Sequence, residues 1–141
     1  MRTVRTDDGT RYILVKQSSD ASLVRDPTTG EERYIENAAL ESVSGESPLE
    51  TAAGAVSPAV RRVLTAVHDD RSFGLLVELV DRDGVAVRDL LGSYDLCESD
   101  LHGLLTEFRA AGLIEEARIA GERGYAPTDL AREGIEALRV E

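Results

Sequence analysis

At residue 57 the apolar side chains switch from short extended runs to a helical stripe with a 3.6-residue period. No other feature constrains the fold of this chain as tightly. Upstream, residues 4–6 run into Asp7-Asp8-Gly9, a strong hairpin signal. Arg11-Tyr12-Ile13-Leu14-Val15-Lys16 is β-branched and aromatic enough for the centre of a sheet. Gln17-Ser18-Ser19-Asp20 turns the chain into Ser22-Leu23-Val24-Arg25. Asp26-Pro27-Thr28-Thr29-Gly30 turns it again into Arg33-Tyr34-Ile35. Residues 1–36 therefore predict a small antiparallel β-meander of three or four strands. Its stock of about nine apolar side chains is too small for an independent core, so it is expected to lean on the rest of the chain or on a second copy.

Residues 37–56 are rich in Ala, Glu, Ser and Gly, and Gly45, Pro48 and Gly54 interrupt any long helix. They read as a linker carrying a turn of helix. From residue 57 to 141 the helical period takes over. Ser57-Pro58 is an N-cap with proline at the first helical position, and Val60, Val63, Leu64 and Val67 form one stripe. A second helix from about Ser72 to Arg82 is apolar nearly all round and ends at Asp83-Gly84. Val85-Ala86-Val87 reads as extended, and a short helix follows through Leu90 and Leu91. Gly92-Ser93-Tyr94-Asp95 makes a turn. The next helix, from about Glu98 to Ala111, carries Leu101, Leu104, Leu105 and Phe108 on one face and stops at Gly112. Residues 113–119 and Tyr125-Ala126 then flank a Gly-bearing turn that places Arg123 at a hairpin tip. Thr128 caps a closing helix with Leu130, Ile135 and Leu138 on one side.

Charge narrows the setting. Asp and Glu total 27 against 16 basic residues, a net charge of −11, and Lys16 is the lone lysine. An acidic, lysine-poor chain with small apolar residues and 4% aromatics suits a salt-saturated cytoplasm, where charge repulsion is screened within roughly 3 Å at 1 M salt. No apolar run reaches the length of a membrane span, and the polar opening has no signal-peptide pattern, so a cytoplasmic protein is expected. A lone cysteine, Cys97, excludes an internal disulfide. With only His68 and His102 beside it, no structural zinc site is expected. There is no phosphate-cradling glycine loop and no nucleophile–base motif, so the chain is read as a non-enzyme without a cofactor.

Three segments carry a resemblance: Val87-Arg88-Asp89-Leu90-Leu91, Tyr94-Asp95-Leu96-Cys97-Glu98-Ser99-Asp100-Leu101, and Ala111-Gly112-Leu113-Ile114 after the leucine-striped helix. Together with the order of elements, they resemble the winged helix-turn-helix of MarR-, ArsR- and PadR-like archaeal transcriptional regulators. Tyr125 to Thr128 before the closing helix is similar to the ending of those domains, with Ala126-Pro127 and Ala131 departing from their pattern. The likeness covers residues 57–139 and leaves the meander unassigned. It implies a C-terminal winged helix-turn-helix that regulates transcription by binding double-stranded DNA. With the N-terminal β-meander the chain is expected to be an α+β protein and a homodimer, and its acidic, lysine-poor composition sets it in a halophilic archaeon.

By that resemblance the helix from Glu98 is the recognition helix, and Ser99, His102, Gly103 and Thr106 lie on its groove-facing side. Arg88 before the short helix and Arg118 and Arg123 on the hairpin are the expected phosphate or minor-groove contacts, with Arg61, Arg62 and Arg109 as further cations. Two carboxylates, Glu98 and Asp100, lead the same helix. The alternative is therefore a winged helix that binds protein through an acidic face of Glu98, Asp100 and Glu107. Cys97, at the expected cap, is read as a small buried residue rather than a redox thiol. The meander, the first helix or the closing helix is expected to supply the dimer contact.

Overall fold

Short polar turns set the first unit. The computed structural model describes residues 1–139, and the chain divides into two units, Met1–Val56 and a second from Ser57 onward. In the first, strands β1 (Arg2–Arg5), β2 (Arg11–Lys16), β3 (Ala21–Arg25) and β4 (Glu32–Glu36) run antiparallel in sequence order. Gly9, at φ +86°, closes the first turn. There the Asp8 carboxylate accepts from the Thr6 hydroxyl and from the Thr10 N–H at 3.0 Å. Those bonds, the Thr6 hydroxyl first, hold the Asp8 carboxyl below its usual range. In the third turn, between β3 and β4, the Asp26 side chain accepts from the Thr28 N–H at 2.8 Å.

The segment expected to be a linker belongs to this unit instead. Residues 37–39 form a 3₁₀ turn. β5 (Glu41–Ser42) pairs with β1 to complete the order β4-β3-β2-β1-β5, and helix α1 (Pro48–Ala53) lies against β1 and β2. Ser47 and Glu50 cap α1 reciprocally, Pro48 opens it and Gly54 is its C-cap, so the residues taken as helix breakers mark its ends. One side of the sheet buries Val4, Tyr12, Leu14 and Val24, with Ile35 and Leu40 packed at the margin. The Arg33 guanidinium lies 5.4 Å from the Tyr12 ring centre and donates to its hydroxyl at 2.6 Å. The register puts Thr3 and Ile13 on the other side, where Thr3 bonds the hydroxyl of buried Thr51 on α1.

The second unit starts with helix α2 (Pro58–Ala66), whose cap Ser57 accepts from the Val60 N–H at 3.3 Å. Helix α3 (Asp70–Asp81) is capped by Asp69, whose carboxylate accepts from the Ser72 N–H at 2.8 Å. Strand β6 (Val85–Ala86) is only two residues long, because Val87 already opens helix α4 (Val87–Ser93). Helix α5 (Glu98–Ala110), strands β7 (Ile114–Ile119) and β8 (Glu122–Pro127), and helix α6 (Asp129–Leu138) complete the unit. The sheet order is β6-β8-β7.

The core of this unit gathers Val63, Leu76, Leu79, Leu90, Phe108, Leu113 and Ile135, none more than 2% exposed. Leu101, Leu105 and Phe108 share that core with Leu75, Leu76 and Leu79, and Leu104 and Val80 are packed against it partly buried. At about 1.5–3 kcal/mol per large apolar side chain, this cluster dominates the unit's stability. Gly112, at φ +75°, turns the chain out of α5, and the Leu113 N–H bonds the Phe108 carbonyl at 2.9 Å on the way back to the core. The fold is α+β, an N-terminal antiparallel sheet followed by helices and a C-terminal sheet. Among the described residues no helix is long and apolar enough to cross a membrane.

Candidate nucleic-acid interface

Helix α5 begins at Cys97, whose carbonyl accepts from the Leu101 N–H at 3.0 Å while its side chain makes no cap bond. Cys97 is exposed, contrary to the buried position expected of it: a cap lies before the apolar stripe begins, and its Sγ sits 3.4 Å from the Ser99 hydroxyl. Between α4, α5 and the hairpin lies a cleft of about 480 Å³. Its walls are Val87, Leu91, Leu101, Leu105 and Tyr125, and Glu98, Ser99, His102 and Arg123 stand around it. Three of the expected site residues, Ser99, His102 and Arg123, thus share one cleft.

The hairpin is tighter than the sequence reading placed it. Ala120 (φ +52°) and Gly121 (φ +81°) alone make the turn, and β8 starts at Glu122. Arg123 is therefore a strand residue, not a tip residue, and Arg118 stands directly opposite it, with Glu116 opposite Tyr125. Directly paired residues share one face of a hairpin, so two like charges lie side by side there, an arrangement that costs stability. Arg123 reaches Glu116 at 3.7 Å and Arg109, from the last turn of α5, reaches the same carboxylate at 3.4 Å. Arg109 also lies 6.0 Å from the Tyr125 ring centre. Arg118 donates to the Gly121 carbonyl at 3.2 Å and has no carboxylate at ion-pair distance among the described residues. Arg109 and Arg123 thus share one carboxylate, with Arg118 beside them.

The other expected cations are placed elsewhere. Arg88 pairs with Glu122 at 2.9 Å, and the alternation of the strand puts Glu122 on the face opposite Arg123. Arg62 donates to the Ala111 carbonyl at 3.1 Å, satisfying the end of α5. The Thr106 hydroxyl donates to the His102 carbonyl at 2.8 Å. Gly103 lies on a neighbouring depression with Asp100 and Glu107, and Glu107 accepts from His68 Nε2 at 2.6 Å. A mid-helix glycine costs roughly 0.5–1 kcal/mol relative to alanine, and a Cβ at Gly103 would meet no atom within 4 Å, so packing inside the chain does not require it. The carboxylates Glu116 and Glu122 went unnoticed in the sequence. A two-residue Ala-Gly turn was the available signal, since it sets the register that pairs them.

The chain belongs to a family of unknown function, DUF7346, whose model matches residues 1–139 and so spans both units. No curated protein and no solved structure matches it.

Proposed function

We propose that the second unit is a winged helix-turn-helix that binds double-stranded DNA, and that the protein is a cytoplasmic, homodimeric transcriptional regulator of a halophilic archaeon. The order α2, α3, β6, α4, α5, hairpin, α6 supports that reading, with α5 as recognition helix and β7–β8 as wing. One observation carries it. In a chain of net charge −11, Arg118 and Arg123 stand side by side on the hairpin, and Arg123 shares its carboxylate, Glu116, with Arg109, beside the cleft that holds Ser99 and His102. Phosphate relieves such repulsion between like charges, and the two α5 side chains supply donors for base edges. The acidity elsewhere is compatible with life in molar salt.

Fluorescence anisotropy in molar KCl, on random and on selected duplexes, tests the proposal. Arg118→Ala and Arg123→Ala are expected to weaken both duplexes alike and to lower the salt slope by about one each. Ser99→Ala and His102→Ala are expected to cost about 1–3 kcal/mol on the selected duplex only. A folded protein that binds neither duplex, or arginine variants that bind as the wild type, overturns the proposal.

A second reading, a protein-binding winged helix, is favoured by Glu98 and Asp100, which are exposed at the start of α5 with no ion-pair partner among the described residues. Glu98→Gln with Asp100→Asn separates the two. It tightens non-specific duplex binding under the first reading and weakens a protein complex under the second.

A further inference from the structure

Beside α5 runs a groove that extends away from the DNA-binding cleft and shares Ser99 with it. Two adjoining depressions of about 370 and 390 Å³ share Arg71 and Leu96 and extend from α3 along α5. Leu75, Leu96 and Leu104 give them an apolar floor. Six carboxylates line them: Asp69, Asp70, Glu78, Asp95, Asp100 and Glu107. Arg71 is the one arginine in the lining, and it donates to the Asp95 carbonyl at 3.4 Å rather than to a carboxylate.

The groove also holds a glycine from each bounding helix, Gly74 of α3 and Gly103 of α5, both in helix interiors. Glycine is the poorest helix former short of proline, so each weakens its own helix. Gly134 of α6 has an internal reason, since a Cβ there would come within 2.8 Å of the Ala59 carbonyl. Gly74 and Gly103 have none, for a Cβ on either would meet nothing within 4 Å. What their smallness leaves open is approach from outside.

We propose that this apolar groove docks a basic amphipathic segment of a partner protein, with its apolar side chains over Leu75, Leu96 and Leu104 and its Arg or Lys side chains against the carboxylate rim. Charge complementarity selects that occupant. A second copy of a chain carrying −11 meets repulsion here. Nucleic acid phosphate meets the same repulsion. The proposal rests on the protein-binding reading, to which it gives a site and a partner chemistry, and its groove borders the DNA-binding face at Ser99 and Gly103.

The test uses the full chain and a fluorescein-labelled synthetic helix, with leucines at i, i+3, i+4 and i+7 and arginines elsewhere. A copy with every arginine replaced by glutamate is the control. The arginine peptide is expected to bind and to shift the amide resonances of Gly74, Leu96 and Leu104, and the glutamate peptide to leave them unmoved. Gly74→Ala is expected to raise Tm by about 3–6 °C while weakening the peptide roughly tenfold. Asp70→Asn with Asp95→Asn weakens it without loss of fold. Duplex binding measured alongside is unchanged in Gly74→Ala. Wild-type peptide affinity in Gly74→Ala, equal binding of the glutamate peptide, shifts confined to another surface, or a dimer that dissociates in Gly74→Ala overturns the proposal.

Discussion

The two units solve the same problem with different materials. The first buries a cluster of four apolar residues, Val4, Tyr12, Leu14 and Val24, whereas the second buries fifteen in one cluster. A strand sends alternate side chains to opposite faces, so a short meander splits a small apolar stock in two. The helices of the second unit send each stripe to one side and pool them. The first unit adds polar links to its small core. Thr51 donates to Glu46, which accepts from Arg11 at 3.0 Å, and Thr3 joins them at Thr51; on the opposite face Arg33 covers Tyr12. Hydrogen bonds contribute roughly 0.5–1.5 kcal/mol each once water is replaced, so they fix geometry more than they supply stability.

Separating the units gives the largest expected effect. Residues 57–141 expressed alone are expected to melt cooperatively, and residues 1–56 alone to show no cooperative transition by circular dichroism. A sharp melt of the short fragment breaks the comparison, because polar links would then suffice. Next comes Phe108→Ala, at a fully buried position, expected to cost about 3–5 kcal/mol in denaturant unfolding. A cost under about 1 kcal/mol contradicts the pooled core.

Thr51→Val probes the polar links. It strands the Thr3 hydroxyl, and the first unit is expected to lose about 1–3 kcal/mol. The same variant alters the acid limb. The Thr51 hydroxyl, with a smaller contribution from Arg11 and against the opposing effect of burial, holds the Glu46 carboxyl below its usual value of 4.5. A lowered acid stabilises the fold above its unfolded pKa and loses that contribution as pH falls through the folded one. Wild-type stability therefore drops below about pH 4.5 through Glu46, and Thr51→Val flattens that part of the dependence in acid titrations. The smallest effect is expected at the hairpin. Ala120→Gly frees a residue held at φ +52° and raises the stability of the second unit by about 0.5–1 kcal/mol. An unchanged melting temperature shows that the strain is not there.

Much of the fold was legible because its signals are local. Ser57 and Thr128 cap α2 and α6 as their spacing predicts, and Gly112 ends α5. Residues 37–56 were misread because Gly45, Pro48 and Gly54 count as breakers until the helix between the last two is known to be six residues long. The candidate site was half legible. Ser99, His102 and Arg123 meet in one cleft, but Arg88 turns to Glu122 and the Thr106 hydroxyl to its own helix. Those partners depend on register and on closure of the chain.

Read alone, the sequence determined the two periods, most caps and turns, and most of the helical core, although Leu64 of the predicted α2 stripe is exposed and Ala59 and Ala66 are buried beside Val63. Each rests on side chains within a few positions of one another, where helix and turn geometry leave little choice. Only the tertiary structure decided that α1 joins the first sheet, that Arg118 faces Arg123, and that Glu116 is shared by two arginines. Thr3 and Thr51 meet across 48 residues of chain. Contacts of that kind form only when packing has brought distant segments together, and the short-range pattern of either segment does not record its partner.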